Sequence, residues 1–246
     1  MTSENNYASL VVCTYHEIDD FGAAAAGKNP ASRSVLLRTC IESLIKNTED
    51  YPAEIIVVDN GGTTGDDTDY LLSKVREGKI NTLVRFKENR HFSMAWNSGA
   101  ALATGKYLSF VCNDIEFCPK WLSTCVKILE DYPEKEWLST PFITYDKKKY
   151  TIETTKEGYR VNLRSGSNCM VIPRELFYKV GEFPIHRIGG SIWYNKIYRM
   201  GIRSVAPPSD LAYDRGWRQG VDFSVPVVVK KILLNGTEVQ FEEKKQ

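Results

Sequence analysis

Short apolar runs alternate along the chain with longer stretches in which apolar residues recur every three or four positions, and the alternation persists to about residue 130. Ser9 to Thr14 (SLVVCT), Ile55 to Asp59 (IIVVD) and Tyr107 to Phe117 (YLSFVCNDIEF) are rich in Val, Ile, Leu and Phe, as strands buried on both faces are. Asn81 to Phe86 adds a further strand. Between these runs, Leu37, Ile41, Leu44 and Ile45 fall at i, i+4, i+7 and i+8 and predict a helix from about Ser34 to Asn47. Tyr70, Leu71 and Val75 predict another from Asp67 to Glu77, stopped by Gly78. A third helix follows ENRHF and runs towards Gly105, and a fourth begins at Pro119 and carries Trp121, Leu122, Cys125, Val126 and Leu129. Strand and helix in this order predict an α/β fold with a mostly parallel sheet, right-handed crossovers and helices on both faces.

The second half is less regular. Residues 145–165 read as an exposed hairpin or flap, with Lys147 to Lys149 as solvated charge. GSNCMVIPRELFYKVGEF supplies a turn, a strand and a short helix with Pro173 at its start. Ser191 to Met200 predicts a helix stopped by Gly201, Ser204 to Ala206 a short strand, and the tail a strand pair turned at Asn235-Gly236. The segment DDFGAAAAGKNPASR near the N-terminus reads as a loop over the strand ends.

Composition narrows the partners. With 246 residues, 42% of them hydrophobic and 26% charged, the chain has the makeup of an ordinary globular protein, read as one domain. Lys and Arg total 32 against 31 Asp and Glu, so charge does not point to nucleic acid. No apolar run approaches membrane-spanning length and MTSENNYASL is not a signal sequence, which together predict a cytoplasmic protein without a membrane segment. Six cysteines without a C-x-x-C pair read as buried thiols, and three histidines lie far from any cysteine pair, against a zinc site.

The candidate chemistry lies where strands end. Asn113, Asp114 and Glu116 follow the Tyr107 strand, where open α/β sheets place ligands. Their oxygens suit a hard cation such as Mg²⁺ or Mn²⁺, or they cap the next helix. Asp59, Asn60, Gly61, Gly62 and Thr63 form a second strand-to-turn junction whose glycines permit close backbone approach. Asp66 and Asp67 suit the dipole of the helix they begin. GAAAAGK at 22–28 has P-loop spacing but continues into Asn29, so a nucleotidyltransferase reading rests on a weak motif.

Four segments in this order, VVCTYHE, IIVVDNGGTTGDDT, ENRHFSMAWNSGAALATGKYLSFVCNDIEFCPKWL and SGSNCMVIPRELFYKVGEF, resemble the inverting, family 2 type of glycosyltransferase with the GT-A fold. The resemblance covers about residues 9–217. It implies a nucleotide-sugar donor, UDP-linked, bound by about residues 1–117, and a hydroxyl acceptor of unknown identity met by about residues 118–246. It places Thr14, Tyr15 and Glu17 around the nucleoside, Asp59 against the base, Asn89 and Arg90 by the base and phosphates, and Asn113 beside them. In the metal motif Asp-x-Asp the matching triplet is Cys112-Asn113-Asp114, which keeps only the second aspartate. Asp114 would then hold Mn²⁺ or Mg²⁺ together with Asp214, which stands where relatives carry a histidine. Gly189-Gly190 stand where such enzymes carry an acidic catalytic pair. That departure leaves His186 or Asp210 as the base, a retaining route, or a sugar-nucleotide-binding scaffold without catalysis. Trp193, Tyr194, Trp217 and Tyr159 either stack on sugar rings or fill the core.

Overall fold

The computed structural model describes residues 7–14, 31–61, 65–143, 151–162, 169–186, 189–215, 228–232 and 238–242. Nine strands form one sheet. Its parallel part is built from β1 (Ala8–Thr14), β2 (Ala53–Asp59), β3 (Thr82–Arg85) and β4 (Tyr107–Cys112), in the order β3-β2-β1-β4. The sheet continues through β9 (Cys169–Pro173), β6 (Trp137–Ser139), β10 (Arg203–Ala206), β8 (Arg160–Asn162) and β7 (Thr151–Thr154). β9 is antiparallel to β4, so the sheet is parallel on one side and mixed on the other.

Helices cover both faces because the strand residues pointing to either face are apolar. Leu10 and Val12 of β1 pack on one face with α1 (Ala31–Asn47), α2 (Gly65–Arg76) and α4 (Trp121–Asp131). Val11 and Cys13 pack on the other with α3 (His91–Leu102), α5 (Arg174–Val180) and α6 (Gly189–Arg199). The predicted face of α1 is the buried one, with Leu37, Ile41 and Leu44 fully covered. α3 lies close to the sheet through its small residues. A methyl group on Gly99 would stand 2.2 Å from Val11 Cγ1.

Several boundaries differ from the sequence reading. YLSFVCNDIEF is two strands: β4 ends at Cys112, the chain turns at Asn113-Asp114, and β5 (Ile115–Phe117) leaves the main sheet to pair antiparallel with β11 (Ala212–Asp214). The apolar run stops at Asn113-Asp114 and resumes at Ile115, and its two parts serve different ladders. Pro119 lies outside α4, whose N-cap is Lys120 in the left-handed region at φ 66°. α3 stops at Leu102 rather than near Gly105, and α6 begins at Gly189 rather than Ser191. The predicted flap joins the sheet edge as β7 and β8. The tail forms the antiparallel pair β12 (Val228–Ile232) and β13 (Glu238–Glu242), while the expected Asn235-Gly236 turn, the GAAAAGK segment and Lys147 to Lys149 lie outside the described residues.

Candidate functional site

The parallel strands end together, and their register sets the first part of the site. Thr14 pairs with Asp59, Asp59 with Arg85, and Cys13 with Cys112, which puts Arg85, Asp59, Thr14 and the Cys112-Asn113-Asp114 turn in one row across the sheet. The row includes the point where the strand order reverses, since β2 and β4 flank β1 on opposite sides.

Asp59 is buried and doubly engaged. Its Oδ2 lies 3.1 Å from Arg85 Nε, and Gly61 N–H donates to its Oδ1 at 3.2 Å. It thus combines a turn-forming carboxylate with an ion pair to an exposed guanidinium. Burial together with the Asp59 charge pushes the Cys13 thiol up to about 12. Thr14 is fully buried, and its carbonyl accepts from Asn60 N–H at 2.9 Å. Arg85 was not anticipated; only the β2–β3 register reveals it.

Asn89 and Arg90 occupy the turn before α3. The Asn60 amide donates through Nδ2 to Asn89 Oδ1 at 3.0 Å and accepts from Arg90 N–H at 2.9 Å. The Arg90 side chain is exposed and ion-paired with Glu88 at 2.6 Å. Gly61, at φ 83°, passes against the same turn, and a methyl group there would lie 2.4 Å from Glu88 C.

The second part of the site is the β4–β5 turn. α1 holds it from below: Cys40 Sγ lies 3.5 Å from Cys112 O, Phe117 N–H donates to Ser43 Oγ, and Asn47 Nδ2 donates to Phe117 O at 2.7 Å. Asn113 and Asp114 are half-buried. The pairing of β5 with β11 sets Asp214 opposite Ile115, and Arg215 N–H donates to Asp114 O at 2.8 Å. Burial raises the Cys112 thiol well above its usual range, and the charges of both Asp114 and Asp214 add to that shift. Both carboxylates therefore act on the same strand end from positions 100 apart in sequence. Glu116 is not the N-cap of α4, which is Lys120, and its Oε2 accepts from Arg215 Nε at 2.6 Å. No group of three or more His, Cys, Asp or Glu able to hold a metal occurs among the described residues. A pair of carboxylates still matches the usual Mg²⁺ or Mn²⁺ arrangement, in which substrate phosphates and water complete the shell.

His186 is exposed, and its carbonyl accepts from Gly189 N–H at 2.8 Å. It leads into the start of α6, which packs on the first turn of α3. A methyl group on Gly189 would stand 2.3 Å from Ser93 Oγ and 2.1 Å from Pro184 O. Asp210 is committed to an ion pair with Arg160 at 2.8 Å. Trp193, Tyr194 and Tyr159 are core residues rather than an exposed stacking platform. Asp67, placed by the sequence at a helix start, is also buried, and its carboxylate ties α2 to Ser34 and Arg38 of α1. Tyr15, Glu17 and Trp217 lie outside the described residues. Two concavities of about 370 and 250 Å³ lie on the outer face of α6 and between α1 and β2; neither reaches Asp59 or Asp114.

This architecture is the GT-A type of glycosyltransferase fold. The chain aligns over 87% of its length with GalNAc-T7 bound to UDP, GalNAc and Mn²⁺ (TM-score 0.64, 17% identity, 44% of that chain covered). It aligns over the same share with the mannosyltransferase PcManGT from Pyrobaculum calidifontis in complex with GDP-Man and Mn²⁺ (TM-score 0.63, 20% identity, 58% of that chain covered). A model of glycosyl transferase family 2 matches residues 30–183, more than half of the chain, and the chain belongs to that family. An uncharacterized glycosyltransferase of Escherichia coli (strain K12), YibD, is 32% identical over 133 residues, 53% of this chain and 33% of its own length. A putative polypeptide N-acetylgalactosaminyltransferase 13 of Drosophila melanogaster is 32% identical over 105 residues, 40% of this chain and 19% of its own length. The chain thus matches a third or less of the length of these two relatives. No helix among the described residues is long and apolar enough to cross a membrane.

Proposed function

We propose that the protein is a hexosyltransferase that moves a sugar from a UDP-linked donor to a hydroxyl acceptor. Residues 1–117 form the donor-binding half of one domain, and residues 118–246 form the acceptor side. The observation that carries this reading is the meeting of two polar sets at one sheet end: the Thr14–Asp59–Arg85 row and the Asp114/Asp214 pair.

In this reading Asp59 accepts from the ring N–H of the base while Arg85, 3.1 Å away, holds the carboxylate in place. Tyr15 and Glu17 complete the nucleoside pocket. Asn89, Arg90 and Asn113 line the path of the diphosphate. Asp114 and Asp214 would hold Mn²⁺ or Mg²⁺, which would supply positive charge against the departing diphosphate. The acceptor oxygen forms a bond to the sugar's anomeric carbon as the bond from that carbon to the phosphate oxygen breaks. His186 takes the acceptor's proton.

A second reading, a sugar-nucleotide-binding protein without turnover, is favoured by one observation. At Gly189, where family enzymes carry an acid, Ser93 and Pro184 leave no room for a side chain.

Calorimetric titration with UDP, using GDP and dTDP as controls, with and without Mn²⁺, tests the donor site. Mn²⁺-dependent UDP binding that Asp114→Ala reduces at least about tenfold is expected, the effect of losing one charge-assisted contact. Binding that Asp114→Ala leaves unchanged removes Asp114 from the site. Turnover of UDP-sugars by the wild type then separates the enzyme from the binding protein.

A further inference from the structure

We propose that Asn60 is a positioning residue: its buried side chain fixes the 88–91 turn, and with it Arg90 and the start of α3, against the ends of β1 and β2. The proposal rests on reading this strand end as the donor site.

Asn60 is 2% exposed, and its polar groups are paired with three residues in two segments, the end of β1 and the 88–91 turn. Its N–H donates to Thr14 O at 2.9 Å, its Nδ2 to Asn89 Oδ1 at 3.0 Å, and its Oδ1 accepts from Arg90 N–H at 2.9 Å. Chemistry dictates the orientation of both amides. Arg90 N–H can only donate, so the Asn60 atom facing it is oxygen. Asn89 Oδ1 already accepts from His91 N–H at 2.9 Å, so the Asn60 atom facing it is nitrogen.

The turn needs this support. α3 has no side-chain cap from its own N-cap residue, Arg90, and the chain enters it through His91 at φ 66°, a left-handed conformation that side chains disfavour. The two asparagines supply acceptors for Arg90 N–H and His91 N–H, the first backbone donors of the helix. The neighbouring Gly61 lets the β2 turn press directly on Glu88. Two consecutive residues, 60 and 61, therefore lock a turn nearly 30 positions away. The Arg90 side chain is exposed at the rim while its backbone is anchored to a buried amide, so Asn60 acts on nucleotide affinity without touching the nucleotide.

The test uses two nearly isosteric changes with opposite expectations. Asn60→Asp keeps an acceptor for Arg90 N–H but sets a carboxylate oxygen against Asn89 Oδ1. Asn89→Asp remains an acceptor for both of its partners. Amide hydrogen exchange of peptides spanning 86–93 in the nucleotide-free protein is expected to quicken about tenfold or more in Asn60→Asp, and to stay within about threefold of wild type in Asn89→Asp. UDP affinity of Asn60→Asp, at unchanged Mn²⁺, is expected to fall about tenfold or more. If Asn60→Asp does not fold, Asn60→Ser, smaller and uncharged, carries the same expectations. Unchanged exchange in the Asn60 variant, or faster exchange with unchanged UDP affinity, overturns the proposal. A wild type that binds no nucleotide, with the exchange asymmetry intact, overturns the donor-site reading and leaves Asn60 only a fold-stabilising role, so the two failures are distinguishable.

Discussion

Replacing Gly189 by Ala tests the packing argument at the position where family enzymes carry an acid. The added methyl would lie 2.1 Å from Pro184 O and 2.3 Å from Ser93 Oγ, both well inside contact distance. Neither neighbour can retreat easily. Ser93 is fully buried in the first turn of α3, and the Pro184 carbonyl follows Phe183, whose backbone is held by reciprocal bonds with Asn97 at 2.8 and 3.0 Å. Overpacking a site that cannot relax costs about 2–3 kcal/mol. For a chain of this length that lowers Tm by roughly 5–10 °C. Gly65→Ala is the internal control. It lies in the first turn of α2 with nothing among the described residues within 4 Å of the added methyl, so its Tm should stay within about 2 °C of wild type or rise, because Ala favours the helix. Thermal denaturation of the three proteins by circular dichroism decides the matter. A Gly189→Ala protein within about 1 °C of wild type refutes the reasoning, for then the α3–α6 contact is loose enough to accept a side chain and steric exclusion does not explain the glycine. A loss of the expected size means that an acid cannot be restored at 189 without disturbing the fold, and the base must be sought elsewhere.

His186→Ala is expected to lower turnover of a UDP-sugar about a hundredfold with little change in UDP affinity, as for loss of a general base; an unchanged rate removes His186 from the chemistry. Thiol labelling offers an independent check of the strand-end environment. Burial, with Asp59 adding to it, pushes the Cys13 thiol up to about 12, and burial, opposed in part by Ser139, pushes Cys125 to about the same value. Both are therefore neutral thiols at pH 8, so iodoacetamide should modify the half-exposed Cys118 well before either, as read by peptide mass spectrometry. Modification of Cys13 or Cys125 as fast as Cys118 in the native protein contradicts this burial pattern.

The chain sequence by itself determined the parallel core. The runs at 10–13 and 55–58 are apolar at every position because both sheet faces are covered, and no amphipathic helix produces that pattern. It also placed Asp59 and Asp114 at strand ends, since a polar residue that stops a buried apolar run marks where the strand reaches solvent. The ordered segments were enough to identify the family. What only the tertiary structure decided depends on register between distant segments. Arg85 meets Asp59 because β2 and β3 align in parallel, and Asp214 reaches the Asp114 turn because β11 pairs with β5, which required the break within YLSFVCNDIEF. Asn60 pairs with Asn89 across a gap that no local pattern bridges. Tyr159, Trp193 and Tyr194 have rings that suit a sugar or a core equally well, and burial alone assigns them to the core. Local propensity is written in neighbouring residues; which polar groups face one another is set by strand order and helix packing, which emerge only when the whole chain is folded.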